Sequence, residues 1–220
     1  MDTIDQIANS QHLVAGERIK SMRVEGLFPT PIGFRSLDRQ LSEKEISFLL
    51  SQQTRGNQGN TTSTDSYILR NKCLASLRQF IEDAVDDYVA STINPKGNVK
   101  LRITQSWVNY TEQGQYHHKH SHPNSLVSGV FYVQANKETD KIYFYRDGYQ
   151  QIKLPPQEWN VFNSDSWWFS VETGMLALFP SSLTHMVETV ESNETRISIA
   201  FNVFPIGTIG DELGLTELKL

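Results

Sequence analysis

Beyond Pro95 the chain changes texture, and that change constrains its fold more than any other feature. Short apolar runs follow one another at about 99–110, 115–122, 126–134, 141–146, 160–163, 167–172, 175–179, 185–189 and 195–204. Turn residues separate them, including Arg146-Asp147-Gly148 and Glu172-Thr173-Gly174. Such spacing predicts strands joined by tight connections. Ahead of Pro95 the periodicity is helical. Ser42-Glu43-Lys44-Glu45 is a Ser-x-x-Glu capping box leading into Ile46, Phe48, Leu49 and Leu50, which predicts a helix over about 42–53. Over 71–92, Leu74, Leu77, Phe80, Ile81, Ala84, Val85 and Tyr88 recur at three and four residues, a stripe suited to packing on a sheet. Helices followed by many strands give an α+β, mainly β chain, with helices on one face of a β-sandwich or barrel.

At 220 residues the chain is read as one domain. Residues 1–25 are expected to form an arm, 26–98 a helical buttress, 99–206 the β part and 207–220 a tail. The Leu27–Ile32 stretch carries two prolines and is at best an edge strand. The polar Gly/Asn/Thr tract 54–65 is the candidate for a mobile loop or lid. A single cysteine, Cys73, excludes an intrachain disulfide and a multi-cysteine metal site. The first twenty residues lack the apolar core of a signal peptide, and no run spans a bilayer, so a reducing, cytoplasmic setting is expected. A net charge of -5 gives no broad electrostatic reason to bind nucleic acid or an anionic membrane.

Chemistry concentrates in the histidines. Four of the six fall in His117-His118-Lys119-His120-Ser121-His122-Pro123, between two apolar runs. In a strand, residues two apart share a face, so His120 and His122 can present two imidazoles to one metal, and His118 has the same parity. Imidazole suits iron, zinc, copper and nickel alike, and the alternative is a solvated strand end. His185 opens a strand after Phe179-Pro180, where a lone histidine is more often a satisfied surface or core residue. In the next strand Arg196 and Ser198 share one face, opposite Ile197 and Ile199. If that face points inward, the arginine needs an anion, and a guanidinium fork beside a hydroxyl suits a carboxylate. The alternative is an outward arginine at a strand start.

From Trp107 to Pro205 the sequence resembles the 2-oxoglutarate/Fe(II)-dependent oxygenases. It looks closest to the branch often encoded by phages and to the prolyl 4-hydroxylase-like group. Tyr110, Gly114 and Gln115 precede His120-Ser121-His122 as a tyrosine and a Gly-Gln pair precede the His-x-Asp motif of that group. Tyr132 matches a tyrosine near the end of the following strand. Gly174-Met175-Leu176-Ala177-Leu178-Phe179-Pro180 leads to His185 as a similar segment leads to the distal histidine, and Arg196 with Ser198 stands where the cosubstrate-binding arginine stands. His122 departs from the usual carboxylate, a wording shared with the phage-type branch.

The resemblance implies a double-stranded β-helix, of the jelly-roll or cupin-like kind, buttressed by the N-terminal helices. It implies Fe(II) held by His120, His122 and His185, and 2-oxoglutarate held by Arg196, Ser198 and Tyr132, with Tyr110 touching it from the neighbouring strand. The reaction would use dioxygen, with ascorbate as a supporting reductant, release succinate and carbon dioxide, and oxidise a protein side chain or small molecule. Asn109 and Asn202 are expected as inward polar groups, and Trp107, Trp159, Trp167 and Trp168 as candidates for a substrate groove. The competing readings are a cupin-like three-histidine enzyme that does not use 2-oxoglutarate and a non-enzymatic β-sandwich binding module.

Overall fold

A computed structural model describes residues 22, 24–146, 148, 152 and 154–220. The arm expected over 1–25 and the Arg146-Asp147-Gly148 turn fall wholly or partly outside them. In chain order the elements are β1 (Gly33–Ser36), α1 (Glu43–Leu50), β2 (Thr54–Gly56), β3 (Thr61–Ser63), α2 (Ala75–Thr92), β4 (Lys100–Thr111), β5 (His117–His120), β6 (Val127–Gln134), β7 (Lys141–Tyr145), β8 (Ser166–Ser170), β9 (Met175–Pro180), β10 (His185–Val187), β11 (Arg196–Ile206), β12 (Thr208–Ile209) and β13 (Leu218–Lys219).

Two antiparallel sheets carry the fold. The larger has strand order β1-β9-β6-β11-β4-β3-β2, the smaller β5-β10-β7-β8. Side chains alternate across the large sheet. Its outer face presents Val108, Phe131, Leu176, Ile199 and Phe201 to α2, which answers with Leu77, Ile81 and Val85. Each is at most 2% exposed, and each fully buried side chain of this size contributes about 1.5–3 kcal/mol. The inner face joins the small sheet through Tyr132, Ile142, Phe144 and Phe179. Close packing sets one glycine: a Cβ on Gly129 would lie 2.2 Å from the ring of Phe201, its registered neighbour on β11.

Both helices form where the sequence expects them. Ser42 accepts from the Glu45 N–H at 3.3 Å, and the Glu45 carboxylate accepts from the Ser42 N–H at 2.7 Å, closing the capping box. Hydrogen bonds from Arg39 hold the Glu45 carboxyl down at about 2.

Three expectations are corrected. The tract 54–65 is not a free loop: β2 and β3 form a hairpin that joins β4. Its β-branched threonines suit a pleated surface, and Gly59, at φ 92°, makes the turn, where a Cβ would meet the Tyr116 carbonyl at 2.6 Å. The segment 26–98 therefore supplies strands as well as helices. Residues 160–163 form a turn rather than a strand, because the Asn160 side chain accepts from the Phe162 N–H at 2.8 Å and the Asn160 carbonyl from the Asn163 N–H at 3.2 Å. The tail 207–220 adds the small β12–β13 hairpin, closed by paired hydrogen bonds between Gly207 and Leu220. Among the described residues no helix is long and apolar enough to cross a membrane.

Candidate metal and cosubstrate site

A cavity partly open to solvent lies between the sheets. At one end His120, His122 and His185 bring a ring nitrogen each to within 4.8 Å of one another. Register places two of them, since β10 pairs with β5 so that His185 lies opposite His120. His122 stands beyond the end of β5, where its backbone N–H donates to the Ser181 carbonyl at 2.8 Å. Ser181 is itself fixed by a buried hydroxyl chain, 2.8 Å from Ser128 and 2.7 Å from Ser125.

Hydrogen bonding fixes two of the tautomers. His120 donates through Nδ1 to the His118 carbonyl at 2.7 Å, and His185 through Nδ1 to the Leu183 carbonyl at 3.0 Å. A carbonyl only accepts, so both Nδ1 atoms carry the proton, which leaves each Nε2 lone pair for a metal. Burial depresses all three rings as bases, His122 to about 4 and His185 to about 3, so they are neutral at physiological pH, as ligation requires.

The parity argument fails in one particular. His118 does not line the cavity; its Nδ1 lies 3.3 Å from the Gln58 carbonyl. His117 lines it instead. The cause is a register irregularity: His117 pairs with Val187 and His120 with His185, so β5 carries one more residue than β10 across that stretch. Asn60, on the β2–β3 turn, lies 3.4 Å from His117 Nδ1 and donates to Thr111 Oγ1 at 3.3 Å.

The other lining groups come from β4, β6 and β11. Asn109, Tyr132, Arg196 and Ser198 all reach the cavity, and all are at least nine-tenths buried. The Tyr132 hydroxyl and Asn109 Oδ1 are buried without a hydrogen-bond partner, the only such side-chain atoms among the described residues. Burial pushes the Tyr132 phenol well above its ordinary range, so it keeps its proton and can donate. An orphaned buried donor costs roughly 1–3 kcal/mol, and an acceptor entering the cavity would recover it.

Arg196 faces inward, and the anion that the sequence leads one to expect beside it comes from within the chain. Its guanidinium meets Asp140 at 3.1 Å, and both residues are 4% exposed. Sequence reasoning missed Asp140, His117 and Asn60. Asp140 sits in a polar turn, and only the register of β7 against its neighbours brings it to Arg196.

Tyr110 is a further correction. It lies on the opposite face of β4 from Asn109, packs against the helical layer, and donates its hydroxyl to the Leu49 carbonyl. Asn202 also stays out of the cavity, its Oδ1 accepting from Ser128 at 3.0 Å. Of the tryptophans only Trp107 lines the cavity, stacked 5.9 Å from His122; Trp159, Trp167 and Trp168 are exposed elsewhere.

Comparison with known proteins agrees with this geometry. Residues 105–202 match the family described as "Putative 2OG-Fe(II) oxygenase". No curated protein sequence matches the chain. Among solved structures, the alpha-ketoglutarate-dependent epimerase SnoN of nogalamycin biosynthesis is similar at 12% identity and TM-score 0.55, over 80% of this chain and 78% of that one. HygX from Streptomyces hygroscopicus, with nickel and 2-oxoglutarate bound, is similar at 13% identity and TM-score 0.51, over 79% and 82%. An oxidoreductase of the 2OG-Fe(II) oxygenase family from Burkholderia pseudomallei is similar at 11% identity and TM-score 0.50, over 72% and 74%. Residues 105–202, a little under half of the chain, thus match the 2OG-Fe(II) oxygenase family, and the chain has the double-stranded β-helix fold of these solved structures.

Proposed function

We propose that His120, His122 and His185 hold the iron, that Arg196, Ser198 and Tyr132 hold the far carboxylate of 2-oxoglutarate, and that the chain oxidises a protein side chain or small molecule. One observation carries this reading: a convergent neutral histidine triad and a buried Arg196–Ser198–Tyr132 group line the same cavity. When bound, the iron with 2-oxoglutarate and dioxygen supplies the oxidising chemistry, and ascorbate supports it by keeping the metal reduced. The protein's part is to orient and to exclude water. Carbonyl bonds at His118 and Leu183 aim two of the imidazoles. Tyr132 offers a protonated hydroxyl, and Arg196 offers the guanidinium edge that Asp140 leaves open. Trp107 backs His122 and shields that ligand from water.

Three finer assignments belong with this reading. The His-x-His-Pro wording supports a place in the phage-type, prolyl 4-hydroxylase-like branch. The lone Cys73 supports a reducing cytoplasm, that of the host for a phage-encoded chain. The division into arm 1–25, buttress 26–98, β-helix 99–206 and tail 207–220 is taken as one oxygenase domain, with β1–β3 as part of the barrel. The test is anaerobic titration with Fe(II) followed by 2-oxoglutarate turnover with ascorbate. A single saturable iron site and iron-dependent succinate are expected. Saturable iron without succinate would favour a three-histidine enzyme of another kind, and no saturable site would favour a binding module.

A further inference from the structure

Arg196 is the one charged side chain, among the described residues, that lines the cavity. Behind it stands a carboxylate that does not line the cavity, Asp140, whose Oδ1 accepts from Arg196 Nη1 at 3.1 Å. Asp140 is held from several sides. Its Oδ2 accepts from the Asn136 N–H at 2.8 Å, its own N–H donates to the Asn136 carbonyl at 2.8 Å, and its carbonyl accepts from the Val171 N–H at 3.1 Å. The turn between β6 and β7 thus fixes a negative charge against the arginine from outside the cavity lining. The second terminal guanidinium nitrogen, Nη2, makes among the described residues one long 3.4 Å contact, to the Glu188 carbonyl, and remains available to a ligand.

The charges explain what such an arrangement does. Three neutral imidazoles leave a bound Fe(II) its full double positive charge. Arg196 adds one positive charge and Asp140 removes it, so the loaded site matches a dianion. Without Asp140 the site would carry one positive charge in excess, at a buried position where charges interact strongly.

We propose that Asp140 is an internal competitor for Arg196, a specificity-determining residue that weakens the hold on a second carboxylate and keeps dicarboxylate binding and succinate release reversible. The inference rests on the reading of this cavity as the iron and 2-oxoglutarate site. A ligand carboxylate on the open edge of Arg196 shares the guanidinium with Asp140 and is repelled by it. Removing that negative charge tightens dicarboxylates about tenfold. A 2-oxo acid with the same chelating head and no far carboxylate does not feel the change.

Calorimetric titration of the Ni(II)-loaded protein with 2-oxoglutarate, succinate and pyruvate tests this without turnover. In Asp140→Asn, 2-oxoglutarate and succinate are expected to bind about tenfold tighter, with pyruvate changed by less than about twofold. Asp140→Ser, whose hydroxyl can still accept from the Asn136 N–H, is expected to shift the same way. Unchanged or weaker 2-oxoglutarate binding in both variants overturns the proposal, as does equal weakening of all three ligands, which would make Asp140 a purely structural support. Failure of the native Ni(II)-loaded protein to bind 2-oxoglutarate overturns the underlying reading of the cavity instead.

Discussion

Toward the helices, β4 and β11 present Val108, Tyr110, Ile197, Ile199 and Phe201; toward the small sheet, the same strands present Trp107, Asn109, Thr111, Arg196 and Ser198. Burial does not separate the two sets. Ile199 is 0% exposed and Arg196 only 4%. What differs is obligation. The outer set asks only to be packed, whereas each buried polar group of the inner set must find a partner or cost free energy. Arg196 finds Asp140, and the Tyr132 hydroxyl and Asn109 Oδ1 find nothing among the described residues. A strand that keeps such groups on one face is built around something the protein must bind. The comparison predicts that substitutions on the inner face alter ligand binding, while those on the outer face alter stability alone.

The largest effects fall at the metal end of the cavity. His120→Ala and His185→Ala are each expected to remove most bound iron and all iron-dependent succinate formation, measured by anaerobic titration and metal analysis. Stoichiometric iron in either variant would break the assignment of the triad. His122→Ala should cost more iron than His118→Ala, because His122 and not His118 lines the cavity. The reverse order would show that the register of β5 differs in the loaded protein.

Next comes Arg196→Ala, an inner-face change that also touches stability. Succinate formation is expected to disappear with iron content retained. Asp140 is left as an uncompensated buried charge, which costs roughly 3–5 kcal/mol in chemical denaturation. Adding Asp140→Asn to that variant should return part of the stability and none of the activity. Ile199→Ala, its outer-face counterpart, is expected to lose roughly 2–5 kcal/mol while the KM for 2-oxoglutarate stays within about twofold. A large rise in KM there would mean that the two faces are coupled.

Much of this contrast is visible in the residues themselves. Alternation in Arg196-Ile197-Ser198-Ile199 shows which side chains share a face, and the capping box marks the start of α1. Alternation cannot say which face a neighbouring element covers, so the sequence leaves an inward arginine as one of two readings, and the packing of β11 between β4 and β6 over the cavity decides between them. It also assumes a regular strand. One extra residue in β5 moves His117 into the cavity and leaves His118 outside, and no local pattern announces that irregularity. Asp140 was illegible for another reason: its contact with Arg196 spans 56 residues and depends on how two sheets stack. Thr61-Thr62-Ser63 reads as polar loop, yet the exposed edge of β4 recruits it as a strand.

Tyr110 tests the comparison at its finest grain. The resemblance placed it beside the cosubstrate, because family spacing identifies a tyrosine on the right strand and cannot say which way it points. Asn109 is its immediate neighbour on β4 and faces the cavity, so Tyr110 must face the helices. There its hydroxyl donates to the Leu49 carbonyl in the last turn of α1, a group the helix's own ladder leaves without a partner. Burial pushes the phenol upward, so it remains a donor at physiological pH. Tyr110→Phe keeps the ring in its packing and removes only that bond. The expected cost is about 1 kcal/mol in denaturation, with the KM for 2-oxoglutarate unchanged. A several-fold rise in KM at unchanged stability would place Tyr110 with the ligand after all and break the division between the two faces at its centre.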